Sequence, residues 1–136
     1  MSFPDPATEG HRRAAEYLSL LGTDSAGALL DGLSDIRDLV FLGAGLTAIA
    51  RAEARFLPPA QRAQANTRQE RLGVVRDANR GNPEGLRTWL RQAGEEIALI
   101  RSQQAIADQV HGQERAARAA AEANGTTAAS SAATTT

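Results

Sequence analysis

Three arrangements of residues have the types and spacing to do chemistry. The first runs Asp38-Leu39-Val40-Phe41-Leu42-Gly43-Ala44-Gly45-Leu46-Thr47-Ala48. It fits G-x-G-x-x-[GA] behind an apolar run, the fingerprint that lets a pyrophosphate approach a tight turn at a helix N-terminus. That chemistry needs a strand on either side of the motif and an acid about 20 residues on. Here the next stretch is Leu57-Pro58-Pro59-Ala60-Gln61-Arg62, and no acid falls between Glu53 and Glu70. The motif is therefore read as a packing surface, where Gly43, Ala44 and Gly45 are small enough for another helix to come close. Helix-packing positions are expected at Gly43, Gly45, Leu46 and Ile49, facing Trp89, Leu90 and Ile97. No cofactor is expected.

The second arrangement is His111 between Asp108 and Glu114, each three residues away. Carboxylate and imidazole at that spacing hold metal in helical bundles when other helices supply further carboxylates and a second histidine. The other histidine, His11, sits in an Arg-rich helix start, so a solvated polar face is expected and no metal. Glu95 and Glu96 are adjacent, and adjacent helix positions point about 100° apart, so they do not converge as an acid–base pair. No serine sits in a nucleophile-elbow pattern. No catalytic residue emerges, and the chain is not expected to be an enzyme.

The third arrangement is arginine. Arg62, Arg68, Arg71, Arg76, Arg80, Arg87 and Arg91 crowd one stretch of the chain. Arg76, Arg80 and Arg87 flank the turn Arg80-Gly81-Asn82-Pro83 and are the candidate phosphate contacts. Trp89 beside them could stack on a base, but it neighbours the Leu86/Leu90 seam and is assigned to the core.

The elements that must position these residues are helical. Leu86, Leu90, Ala93, Ile97 and Ile100 alternate steps of four and three, the rhythm of one helix face. The rhythm continues through Gln104, Ala107, His111 and Glu114, which are mostly polar. A proline-free helix from Pro83 to about Ala123 would be about 60 Å long. Its first half has a core to join, and its second half needs a partner. Upstream, Thr8 can cap a helix that Gly22 ends. A second runs from the caps Thr23, Asp24 or Ser25 to Leu57, where Pro58 and Pro59 stop it. Gly27 and Gly32 leave room for a break near residues 31–35, with Ser34 or Asp35 capping the renewed helix. A polar, Arg-rich helix follows from about Ala60 to Asn79, anchored only by Leu72 and Val75. β-branched residues are sparse, so strands are not expected.

Composition bounds the core. Of 136 residues, 42% are hydrophobic but only 4% aromatic, and many of the rest are alanine. The large core candidates are Leu29, Leu30, Leu33, Ile36, Leu39, Val40, Phe41, Leu42, Leu46, Ile49, Phe56, Leu57, Leu72, Val75, Leu86, Trp89, Leu90, Ile97 and Ile100. All 15 basic residues are arginine, and no cysteine offers thiolate or disulfide chemistry. Net charge is −1, which argues against a dedicated polyanion binder. Its distribution is uneven: residues 58–94 carry seven arginines and three acids, between acid-rich flanks. Such flanks would steer a basic patch on a neighbouring copy. The N-terminus lacks a signal-peptide pattern, and the longest uncharged run, Leu39 to Ala50, is too short to span a bilayer.

The expected protein is all-α. Three or four helices form a small bundle, with a long protruding C-terminal helix and flexible ends. Residues 1–7 form an extended arm, 8–123 the helical domain and 124–136 a low-complexity tail. The expected function is that of a non-enzymatic structural or assembly subunit or adaptor, in the cytoplasm or as a component of a phage virion. Its partners would be other protein subunits, copies of itself first, with no membrane. The assembly interface is expected at Ile106, Val110, Arg115 and Arg118. The alternative is a nucleic-acid-binding accessory protein acting through the Arg-rich middle.

Overall fold

The computed structural model describes the backbone of residues 6–135 and the side chains of residues 8–124. Over the described residues the chain is five helices without a strand: α1 (Pro6–Ser19), α2 (Asp24–Asp31), α3 (Ile36–Ala54), α4 (Pro59–Ala78) and α5 (Pro83–Thr135). The all-α class holds, but the count exceeds the three or four helices expected. The extra helix arises where the 24–57 stretch divides. Gly32 caps α2, and Asp35, in an extended conformation, restarts the chain as α3 by accepting a 2.9 Å hydrogen bond from the Arg37 amide. Thr23 occupies the N-cap position of α2 without a side-chain cap. Its hydroxyl instead donates back to the Leu20 carbonyl at 2.6 Å.

The expected ends also shift. Helix α1 already includes Pro6, within the segment read as an arm, and residues 1–5 lie outside the described residues. Helix α5 runs on to Thr135, through the segment read as a tail. The run Ala119-Ala120-Ala121 leading into it is the strongest helix former available. Two glycines do conformational work at turns: Gly22 (φ +85°) closes α1, and Gly81 (φ +79°) turns α4 into α5.

The residues up to Gln103 form one compact unit, and residues 104–136 form a second. In the first, Leu30, Leu39, Leu42, Leu46, Leu86, Leu90, Ile97 and Ile100 are fully buried. Burying each such side chain contributes about 1.5–3 kcal/mol, which is why so few large residues suffice. Ala14, Tyr17 and Leu18 of α1 complete the core, although none was among the expected core residues. Four expected members are not in it: Phe56 is 81% exposed, Val40 41% and Ile36 36%, and Phe41 is half-buried outside it. Ile36 opens α3, and Phe56 follows its last turn, where Leu57 is the residue that turns inward. Val40 shows that α3 is covered on part of its circumference only.

The second unit is a single helical stretch. None of its described side chains, from Gln104 to Asn124, is buried. Ile106 is 57% exposed and Val110 43%. Among the described residues, no helix is long and apolar enough to cross a membrane.

Candidate functional site

The glycine motif sits inside α3, with no strand before it. Positions 43 and 45 point about 200° apart on a helix, so they face different neighbours. A methyl group at Gly43 would fall on the six-membered ring of Trp89, on α5. One at Gly45 would fall on the Gly10 carbonyl of α1 and lie 2.9 Å from the Ala14 methyl. Gly10 in turn has no room: its own Cβ would lie 2.5 Å from the Phe41 carbonyl oxygen. The motif thus seats two helices against α3, one on each side. Ala44, between the two glycines, is exposed and takes no part. Gly94 makes a third close approach, where a Cβ would lie 2.8 Å from Tyr17 Cε1.

The three arginines singled out as phosphate contacts have acidic partners within the fold. Arg87 is the most committed. Its Nε and Nη2 donate to the carbonyls of Leu30 (3.2 Å) and Leu33 (2.9 Å), and its Nη1 donates to Glu84. It thereby ties α5 to the backbone at and just past the end of α2, as a side-chain donor to the Leu30 carbonyl beside the Leu33 amide. Arg76 and Arg80 share the Asp77 carboxylate, each at 3.1 Å, and these two hydrogen bonds hold its pKa below the ordinary value. Trp89 is 3% exposed and belongs to the core, so it presents no stacking face.

His111 Nδ1 lies 3.5 Å from Glu114, and among the described residues no three acidic or histidine side chains converge as a metal site. Of the expected interface residues, Ile106, Val110, Arg115 and Arg118 are all exposed, on the stretch that buries nothing. Glu95 is exposed as well. Glu96 is the one buried charged residue among those described, and it accepts a 2.6 Å hydrogen bond from Arg68 Nε.

Glu96 leads to a cavity of the first unit. About 550 Å³ of space opens between α3, α4 and α5, within the range of small-molecule sites. It exists because α4 is polar and buries only Ala65 fully, so it packs loosely over the α3–α5 pair. The apolar side is Leu46, Ala50, Ala54, Leu72, Trp89 and Ala93. Arg51 near the end of α3 and Arg55 at its C-cap, four residues apart, reach the cavity with Arg62 from the start of α4. Among the described residues none of these three side chains has a hydrogen bond or ion pair, whereas most arginine side chains of this unit do. Deeper in, Glu96 Oε1 and Gln69 Nε2 are buried without a protein partner. A buried polar atom left so costs about 1–3 kcal/mol.

Sequence reading drew attention to Arg62 but not to Arg51, Arg55, Gln69 or Glu96 as a group. The i,i+4 spacing of Arg51 and Arg55 beside Ala50 and Ala54 was a usable signal. A depression of about 410 Å³ between α1 and α3 is neutralised at its edge, where Arg101 grips Glu53 with bonds of 2.8 and 3.0 Å. In comparisons with known proteins, the chain matches no protein-family profile, no curated protein and no solved structure.

Proposed function

We propose that this chain is a non-enzymatic assembly subunit that joins copies of itself through residues 103–123. A component of a virion is the most specific form of this reading. The observation that carries it is the helical stretch from Gln104 to Asn124, which buries no side chain and leaves Ile106 and Val110 open to water. In proteins most helical stability comes from packing one face against other elements, and this stretch takes none of its described side chains out of water. Ile106, Val110, Ala117 and Ala121 recur at steps of four and seven, so they share a face on which another helix can lie closely. Arg115 and Arg118 lie off that face and would orient the contact through acids of the neighbour.

Sedimentation equilibrium tests the proposal. The full-length chain should associate at about tens of micromolar, and the Ile106→Asp/Val110→Asp variant should not. Deleting 103–136 should leave a folded but less associated protein. A full-length chain that stays monomeric at those concentrations removes the self-assembly reading. The alternative, nucleic-acid binding through Arg76, Arg80 and Arg87, predicts an affinity that falls steeply with salt. The partners those arginines have within the fold lend it no support.

A further inference from the structure

We propose that the cavity between α3, α4 and α5 binds a small phosphorylated organic molecule with an amide-like hydrogen-bonding edge, the chemistry of a nucleoside monophosphate. Three features of one cavity converge on that class. Arg51, Arg55 and Arg62 bring three cations without acidic partners, against Glu70 as the one lining acid that makes no ion pair. The excess suits a phosphate monoester, which carries about −1.5 to −2 charges at neutral pH. Guanidinium forks also match phosphate oxygens in geometry.

The second feature is the pair of buried polar atoms. Glu96 Oε1 is an acceptor without a donor, on a side chain 5% exposed, and Gln69 Nε2 is a donor without an acceptor, as is Nη2 of the Arg68 guanidinium that holds Glu96. A ligand edge that carries both a donor and an acceptor answers atoms of these two kinds, and nucleobase edges are such edges. Glu96 cannot turn away to water, because Arg68 holds its other oxygen at 2.6 Å.

The third feature is an apolar wall where Leu72, half-buried, lies beside Ala50, which gives a flat ligand body something to lie on. Arg55 and Arg62 flank the turn between α3 and α4, and Gln69 lies two helical turns further along α4. The anionic head and the hydrogen-bonding edge therefore have separate seats. This site is independent of residues 103–123, and it does not depend on self-association.

Isothermal titration calorimetry of the full-length chain decides. The probes are AMP, GMP, CMP and UMP, the four nucleosides, inorganic phosphate, and an oligonucleotide of thymidines. At least one monophosphate should bind about tenfold or more tighter than its nucleoside and than phosphate alone. Arg51→Gln/Arg55→Gln should weaken that monophosphate about tenfold and leave its nucleoside unchanged. Gln69→Leu should weaken both alike. A circular-dichroism melt shows that each variant is folded, and Gln69→Leu spares the Arg68–Glu96 pair that a change at Glu96 would break. No saturable heat from any monophosphate up to about 5 mM overturns the proposal. So does binding that matches inorganic phosphate, or an oligonucleotide bound far more tightly than every monophosphate, which would make the cavity part of a nucleic-acid path.

Discussion

Helix α5 contains a controlled contrast within one element. Between Pro83 and Gln103 its face positions are Leu86, Leu90, Ala93, Ile97 and Ile100, and all five are buried. Between Gln104 and Asn124 the same rhythm meets Gln104, Ala107, His111 and Glu114, and nothing is buried. Both stretches are helical and both have good helix formers. Backbone propensity therefore does not separate them. The side chains at the repeating positions do, because only large apolar groups gain enough by leaving water to draw other helices over them.

The largest effect that would break this contrast is a cavity in the first stretch's core. Leu46, fully buried on α3, should cost about 2–5 kcal/mol as Leu46→Ala. Ile106→Ala removes a comparable side chain from an exposed site and should change the stability of the fold by less than about 0.5 kcal/mol. Urea denaturation of the two variants measures both. Equal losses would show that Ile106 is as buried as Leu46 within one chain.

The next effect tests the close helix approaches. Gly45→Leu must force α1 off α3 at Gly10 and should cost about 1–3 kcal/mol or more by overpacking. Ala44→Leu, one residue away on the exposed side, should be nearly silent in the same thermal melt. Gly43→Leu should resemble Gly45→Leu, with the Trp89 fluorescence altered as its ring is displaced. If Ala44→Leu is the damaging variant, the orientation of α3 is wrong.

Much of this was legible in the chain. Steps of three and four announced α5, and Pro58-Pro59, Gly22 and Gly81 marked ends that the fold uses. The small residues at 43 and 45 announced a close approach, though not that it has two sides. Other parts were not legible because they depend on which helix meets which. Ala14, Tyr17 and Leu18 had the spacing of a buried face, yet their burial follows from Gly10 admitting α1 to α3 and Gly94 admitting Tyr17. The arginine count said nothing about pairing. Arg87 became a support for the end of α2, while Arg51 and Arg55 gained no acidic partner at all. That division is a property of the assembled bundle and decides which arginines remain open to a ligand.

The smallest effect is electrostatic and separates the first unit from the second. Glu9, on α1, accepts hydrogen bonds from Arg12 and then from Arg13, which also reaches Asp38 on α3 at 2.7 Å. The bonds from Arg12 first, and from Arg13 second, lower the Glu9 pKa from 4.5 to about 2. A folded-state value below the unfolded one means the ionised form stabilises the fold. That contribution is complete above pH 4.5 and is lost as pH falls toward 2. The pairs are solvent-accessible, so screening keeps the effect small. Thermal melts of the parent and Glu9→Gln should therefore differ near neutral pH, converge as pH falls through this window, and differ less at high salt. Glu114→Gln, whose partner His111 lies 3.5 Å away on the stretch that buries nothing, should leave the melt of the first unit unchanged at every pH. A difference between parent and Glu9→Gln that persists unaltered at pH 2 would mean that Glu9 acts through packing, and that the α1–α3 contact owes nothing to its charge.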